Sequence, residues 1–245
     1  MTDIDSTTLE QLRVVSTATI TTQLFKRGLR NTALVGLAPL SEEHARFVGE
    51  AFTLRYIPAR EDLDVLEVFK DPSHPQRAAV EQIAPGQVLV IDCRGVGRAA
   101  SIGEILATRL QRRGAVALVT DGTLRDTAGI RSLGLPTFAA GSSPTTNLAV
   151  HHAVDLQVPI GCAEVPVYPG DILVGDDEGV VCIPRHMAAS VAADAFEQER
   201  MEAFLRARVE AGAPLTGTYP PNELTLAEYK ASLEQSSAVG NGSTA

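Results

Sequence analysis

The chain has 245 residues, 44% of them apolar and 21% charged, with a net charge of −9, 4% aromatics and no Trp. That length suits one large domain, or one domain with an appended arm. The acidic balance, without clustered Lys and Arg or stacking aromatics, argues against a nucleic-acid partner, and no apolar run is long enough to cross a bilayer.

The N-terminus, MTDIDSTTLEQ, is acidic and polar, unlike a secretory signal. Ser6 or Thr7 can cap a first helix carrying Leu9, Leu12, Val15 and Ile20. RFVGEAFTLRYIP (46–58) alternates in part and is rich in β-formers, so it reads as a strand. The charged stretch that follows, PAREDLDVLEVFKDPSHPQ (58–76), includes Arg60, Glu61, Asp62 and His74, which read either as a solvated loop or as the wall of an enlarged pocket. A short helix is expected over Pro75–Ile83, ended by the turn Ala84-Pro85-Gly86.

Val88 to Ile91 is a continuous apolar run, as expected of a strand buried on both faces. A helix follows, with Ile102, Ile105, Leu106 and Leu110 as its buried stripe and Gly114 as its stop. Ala115–Val119 is a second buried strand, which completes a β-α-β unit with a right-handed crossover. Leu124–Leu133 reads as a short helix and Pro136–Ala140 as a strand; from Ala153 onward short β-prone pieces alternate with turns. A long charged helix is expected from Met187 to about Ala211, a Pro-rich bridge over 214–221 and a short helix over Leu224–Leu233. The division expected is an α/β domain over 1–186, a helical arm over 187–235 and a disordered tail over 236–245. Cys93, Cys162 and Cys182 lack any CxxC spacing and read as reduced thiols, Cys93 as a small packed hydrophobe, in a cytoplasmic protein.

The chemistry concentrates between residues 95 and 126. Ligand crevices of α/β sheets lie beyond the carboxyl ends of strands. The β-α-β unit sets Glu104 at the first turn of its helix and Arg125-Asp126 just past the next strand. Gly95-Val96-Gly97-Arg98, the Gly103 turn and the amides near Glu104 can supply backbone donors to a small anion. Asp126 and Glu104 are hard oxygen donors suited to Mg²⁺ or Mn²⁺, and Arg125 can bind a carboxylate or an enolate oxygen. The plainer reading of Arg125-Asp126 is a local ion pair plus a helix cap. Asp121-Gly122 reads as the turn that aims Arg125, with Asp121 also a candidate for proton transfer. His151-His152 on a strand point to opposite faces and are left out of the site, and Asp176-Asp177 read as structural.

The segment GEILAT…RGAVALVTDGTLRD resembles a family with two kinds of member: class II pyruvate aldolases acting on 4-hydroxy-4-methyl-2-oxoglutarate and 4-carboxy-4-hydroxy-2-oxoadipate, and the protein regulator of ribonuclease activity A. The likeness extends loosely through RFVGEAFTLR, APGQVLVIDCRG and YPGDILVGDDEGVVCIP, over about residues 10–190. It implies a layered β/β/α swivelling fold of the phosphohistidine-domain type, here with a C-terminal helical arm, assembled as a homotrimer or homohexamer. It also implies a metal-dependent lyase that cleaves a 4-hydroxy-2-oxo acid to pyruvate, with oxaloacetate decarboxylation as a companion activity. Residue by residue, Arg125 matches the family's substrate-binding arginine, Asp126 its metal-associated aspartate, and Gly103, Glu104, Ile105 and Leu106 its substrate-binding turn. Glu104 stands where the family usually has Asp. Members described as regulators commonly lack the final Asp; its retention here favours an enzyme. Dehydration of a 2-oxo-3-deoxy sugar acid, or non-catalytic binding of a ribonuclease, are the alternatives.

Overall fold

The N-terminal apolar pattern forms two helices where the sequence suggests one. In the computed structural model, which describes residues 4–240, Asp5 rather than Ser6 or Thr7 caps α1 (Ser6–Val14), accepting from Thr8 N at 2.9 Å. Extended Val15 breaks the run. Ser16 then caps α2 (Thr17–Lys26), accepting from Thr19 N at 3.1 Å, as hydroxyl side chains at such positions do.

The strands follow as β1 (Ala38–Pro39), β2 (Phe47–Pro58), then α3 (Pro75–Gln82), β3 (Gln87–Asp92), β4 (Ala100–Ile102), α4 (Glu104–Arg113), β5 (Ala117–Leu124), α5 (Thr127–Ser132), β6 (Thr137–Ser142), β7 (His151–Leu156), β8 (Ile160–Cys162), β9 (Val165–Val167), β10 (Ile172–Asp176) and β11 (Gly179–Ile183). They form a mixed sheet in the order β1-β6-β5-β3-β2-β10-β11, with β4 added to β5 and β7 to β2; β8 and β9 form a separate pair. β2, β3, β5 and β6 run parallel, and β10 and β7 share the other edge of β2, antiparallel to its first and second halves.

Strand alternation sorts the core into two layers. Leu89 and Ile91 pack with α3 (Ala79, Val80), α4 (Ala107, Leu110) and α5 (Ile130) on one face. Val88 and Val90 pack with Ile160, Cys162, Val165 and Val167 of the two-stranded sheet on the other. The run Val88–Ile91 is fully buried, as expected of a strand covered on both sides.

The β-α-β unit is present, with two differences from the sequence reading. A short strand, β4, stands between β3 and α4, so Ile102 belongs to the sheet rather than to the helix. The buried stripe of α4 is Ala107 and Leu110, with Leu106 partly buried, while Ile105 is 84% exposed. Gly114 ends α4 at φ 89°, a left-handed conformation that glycine adopts without strain. β5 runs on to Leu124, so Asp121-Gly122 is not a free turn; it lies in the strand, where pairing with β6 shifts register between Thr120 and Thr123.

Two compact units divide the chain, residues 1–193 and 194–245, and the division falls within α6 (Ala188–Glu210). In the second unit, Asn222 accepts from Thr225 N at 2.9 Å at the start of α7 (Glu223–Gly240). Tyr229 packs on Phe204 with ring centroids 5.5 Å apart, donates to Glu197 Oε1 at 2.8 Å, and is joined by the ion pair Arg208–Glu228. Of the expected tail, residues 236–240 continue α7 and residues 241–245 lie outside the described residues. Among the described residues no helix is long and apolar enough to cross a membrane, and all three cysteines are buried and free.

Candidate functional site

The ends of β4 and β5 open on a cleft of about 400 Å³. Its rim carries Gly103, Ile105, Leu106, Arg125 and Asp126, brought together by the β-α-β unit. The absence of a side chain at Gly103 is what permits this: a Cβ there would lie 2.8 Å from Asp126 Oδ2 and 3.1 Å from Arg125 Cγ. Arg125 Nε donates to Asp126 Oδ2 at 3.2 Å, and both side chains remain nearly half exposed. No side chain caps α4, so the amides of its first turn, at Glu104, Ile105 and Leu106, stay open to an anion.

Asp126 departs from the plainer reading of a helix cap. It occupies the N-cap position of α5 at φ 56° and ψ 36°, yet its side chain makes no capping bond. The left-handed region costs a non-glycine residue about 1–2 kcal/mol, less where a short polar side chain bonds locally. Here that conformation turns the carboxylate back over Gly103 instead of onto its own helix. Strain of this kind, held by the surrounding structure, clusters at functional sites.

The floor of the cleft comes from segments far away in sequence. Gln76 and Arg77 stand in the first turn of α3, Ser101 on β4, and Asn147 in the 3-10 turn Asn147–Ala149. Gln76 Nε2 donates to Ser101 O at 2.8 Å and to the Tyr56 hydroxyl at 3.1 Å, and that hydroxyl donates to Ser101 O at 3.0 Å. Burial raises the Tyr56 pKa above the ordinary phenol value and keeps it protonated. Two atoms in this floor have no partner: Gln76 Oε1 and Asn147 Nδ2. Arg77 stacks over Phe69 at 4.4 Å, and no described carboxylate pairs with it. Burial lowers its pKa from the usual arginine value, but a guanidinium stays cationic regardless.

The remaining expected residues fall elsewhere. Glu104 starts α4, but its carboxylate lies against Gly129 of α5, in the space a side chain there would take. Asp121 is 4% exposed and does not line the cleft. Its carboxylate accepts from Cys93 N at 2.5 Å, Gly95 N at 2.8 Å and Ala163 N at 3.4 Å, so it ties loops together. Desolvation raises its pKa while these amides oppose the shift. The same bonds occupy the Gly95 amide, and the Val96 amide donates to Cys93 O at 3.1 Å, so neither of these two is open to an anion. Arg60 and Asp62 pair with each other in solvent, the solvated-loop reading, and His74 packs edge-on against Phe69. The 58–76 stretch does reach the cleft, through Leu66, Phe69 and Gln76 instead. His151 and His152 do face apart: His151 is buried, stacked on Tyr56 at 5.4 Å, and His152 pairs with Asp64 at 2.8 Å. Asp176 accepts from Thr17 N and Oγ1, each at 2.8 Å, a structural role.

Sequence reasoning missed Phe69, Gln76, Arg77, Ser101 and Asn147. A signal existed for two of them, since Gln76-Arg77 directly follow the helix-starting Pro75, where polar residues meet a strand end. A larger cavity of about 730 Å³, bordered by Tyr168, Arg185 and His186, lies apart from these groups. Asp126 is an oxygen donor suited to a hard divalent cation that keeps most of its waters. Among the described residues no cluster of three or more His, Cys, Asp or Glu could hold a metal by itself.

Comparison with known proteins shows what the chain as a whole is similar to. The model of the RraA-like family, described as Aldolase/RraA, matches residues 17–182. A protein of Halalkalibacterium halodurans, provisionally named 4-hydroxy-4-methyl-2-oxoglutarate aldolase, is 30% identical over 75% of this chain and 79% of its own length. A 4-hydroxy-4-methyl-2-oxoglutarate aldolase of Thermus thermophilus is 31% identical over 57% of this chain and 77% of its own. The crystal structure of Streptomyces coelicolor RraAS2, titled an unusual member of the RNase ES inhibitor RraA protein family, superposes with a TM-score of 0.74 at 30% identity, over 84% of this chain and 98% of that one.

Proposed function

The chain belongs to the RraA-like family, and from that premise we propose that it is a divalent-metal-dependent lyase that cleaves a 4-hydroxy-2-oxo acid to pyruvate and also decarboxylates oxaloacetate. The observation that carries the reading is the Arg125–Asp126 pair, held strained and half exposed over Gly103 at the strand ends. Aldolase-named relatives support a lyase at the level of the family. Asp126 would hold Mg²⁺ or Mn²⁺, which when bound supplies Lewis-acid polarisation of the substrate's keto group. Arg125 binds the 2-oxo acid end and stabilises the enolate charge that develops as the C3–C4 bond breaks. The open first-turn amides of α4 receive the substrate carboxylate. Leu66 and Phe69 wall the cleft against water and strengthen these interactions. The electron pair of the broken bond passes to C3, which takes a proton to give pyruvate, while the C4 hydroxyl loses one to water. Glu104, turned to α5, is a positioning residue at the base of the turn in this scheme.

Purified protein with Mg²⁺ or Mn²⁺ is expected to form pyruvate from 4-hydroxy-4-methyl-2-oxoglutarate and from oxaloacetate, and a chelator is expected to stop both. No metal-dependent turnover of either compound would end the proposal. The likeness to RraAS2 favours a second reading, a non-catalytic protein that binds a ribonuclease. Co-purification with an endoribonuclease, without pyruvate formation, selects it. We keep with the first reading an assembly as a homotrimer or homohexamer, which light scattering checks.

A further inference from the structure

We infer that Gln76 and Asn147 form a hydroxyl-reading subsite in the floor of the cleft, the group that tells a 4-hydroxy-2-oxo acid from an unhydroxylated one; this rests on the proposed reading of the cleft. The orientation of the Gln76 amide is fixed by its surroundings. Ser101 O can only accept, so the nitrogen faces it at 2.8 Å and the oxygen is left as the unpaired atom. Asn147 Nδ2, the second unpaired atom, is a donor. The two amides meet around the Tyr56 hydroxyl: Gln76 bonds it at 3.1 Å, and Asn147 reaches toward it without completing a bond.

Gln76 is 3% and Asn147 5% exposed. An acceptor and a donor shut away from water and unpaired are costly, and native proteins rarely leave two together. Their chemistries are complementary: together they suit a group that both gives and takes a hydrogen bond, as water does in the free protein and a hydroxyl does on a ligand. A carboxylate oxygen accepts only, so it satisfies Asn147 and repels Gln76. An ammonium donates only and does the reverse. A hydroxyl donates to Gln76 Oε1 and accepts from Asn147 Nδ2, and satisfies both. The Tyr56 hydroxyl cannot satisfy Gln76 Oε1, because its one proton is already given to Ser101 O. The subsite shares the cleft with Arg125 and Asp126, so the hydroxyl it reads belongs to the substrate portion beyond the pyruvyl end. Reading that hydroxyl also orients the bond to be broken.

The test compares two substrates on the full-length protein with Mg²⁺: 4-hydroxy-4-methyl-2-oxoglutarate, which carries the hydroxyl, and oxaloacetate, which does not. Gln76→Leu and Asn147→Leu are each expected to lower kcat/KM for the hydroxy acid about ten- to hundredfold, the effect of removing one buried hydrogen bond to the substrate. Oxaloacetate decarboxylation, which offers no hydroxyl to read, should fall several-fold less than the hydroxy-acid reaction, and a cooperative thermal melt certifies a folded variant. Because Gln76 bonds Tyr56 and Ser101, Gln76→Leu is the variant more prone to unfold, and Asn147→Leu then carries the test alone. Equal loss on both substrates by a folded variant, or no loss on either, overturns the inference and leaves the lyase standing. Wild-type protein that turns over neither substrate overturns the lyase reading, and this inference with it.

Discussion

Asp121 and Asp126 stand five residues apart on one strand and the turn after it, and they have opposite circumstances. Asp121 is buried and surrounded by three backbone donors. Asp126 is half exposed, in a strained backbone conformation, with one neighbouring arginine and, among the described residues, no backbone donor for its carboxylate. A carboxylate that the fold has buried and largely satisfied has little capacity left for a ligand. One that the fold holds in place, at some cost, without satisfying it is available for one. Sequence spacing gives the two residues equal standing; their hydrogen-bond partners separate them.

The largest effects should break the cleft end of this comparison. Arg125→Ala and Asp126→Ala are each expected to reduce pyruvate formation by about 10²–10³-fold, as removal of a group that stabilises developing charge does. Because neither side chain supports the core, the melting temperature should move by no more than a few degrees. Asp126→Gly adds a sharper control: it relieves the positive φ and should stabilise the protein slightly while abolishing activity. Rate assays beside thermal melts decide it, and a large loss of stability in Arg125→Ala or Asp126→Ala would assign the pair to structure.

Asp121→Ala should show the reverse pattern. It leaves the amides of Cys93, Gly95 and Ala163 without their acceptor in a buried place, at a cost of about 1–3 kcal/mol for each group left wholly unsatisfied. Denaturant unfolding should report a loss of at least about 2 kcal/mol, with the activity of the molecules that stay folded changed little. Activity lost in full from a variant of unchanged stability would restore Asp121 as a proton-transfer group.

How much of this was legible follows from where each residue comes from. Val88–Ile91, the β-α-β unit and Arg125-Asp126 were readable because each is a local pattern: an apolar run, a glycine stop, a charged pair just past a strand. Ile105 misled because a helical stripe counts apolar residues, and at a first turn that faces the cleft an exposed isoleucine borders it instead of filling the core. Asn147 left no trace along the sequence, and Gln76-Arg77 only a place after the helix-starting Pro75. Their meaning arises when α3, β4 and the turn at Asn147 meet around Tyr56, and tertiary pairing of that sort is invisible along a chain. The break at Val15-Ser16 carried its signal, a serine able to cap a new helix, and the apolar run across it hid the signal.

A smaller effect should come from Gly103→Ala. Its methyl would sit 2.8 Å from Asp126 Oδ2 and 3.1 Å from Arg125 Cγ, so the pair must shift. Displacement of about 1 Å at a charge-stabilising group lowers rates by about ten- to a hundredfold. Since both side chains can swing outward into solvent, unfolding free energy should change by less than about 1 kcal/mol. Kinetics with stability held constant would tie the glycine to the site rather than to the fold.

The smallest effect concerns pH and separates the buried side of the molecule by its own titrations. His151 is buried, donates from Nε2 to Ala99 O at 3.2 Å and accepts at Nδ1 from Arg94 at 3.3 Å, so the folded protein holds it neutral. Burial lowers its pKa from 6.5. Below pH 6.5 the unfolded chain therefore binds a proton that the folded one resists. Stability is fully present above 6.5 and declines as pH falls from there to the lowered value, by at most about 1.4 kcal/mol per pH unit for this one proton. Asp121 works in the opposite sense: its pKa is raised, so between that raised value and the ordinary 3.8 the folded state takes up the proton first and gains stability as pH falls. His151→Phe should flatten the decline below pH 6.5 and keep the stacking on Tyr56, and a melting curve still as steep in that variant would move the acid sensitivity to another group.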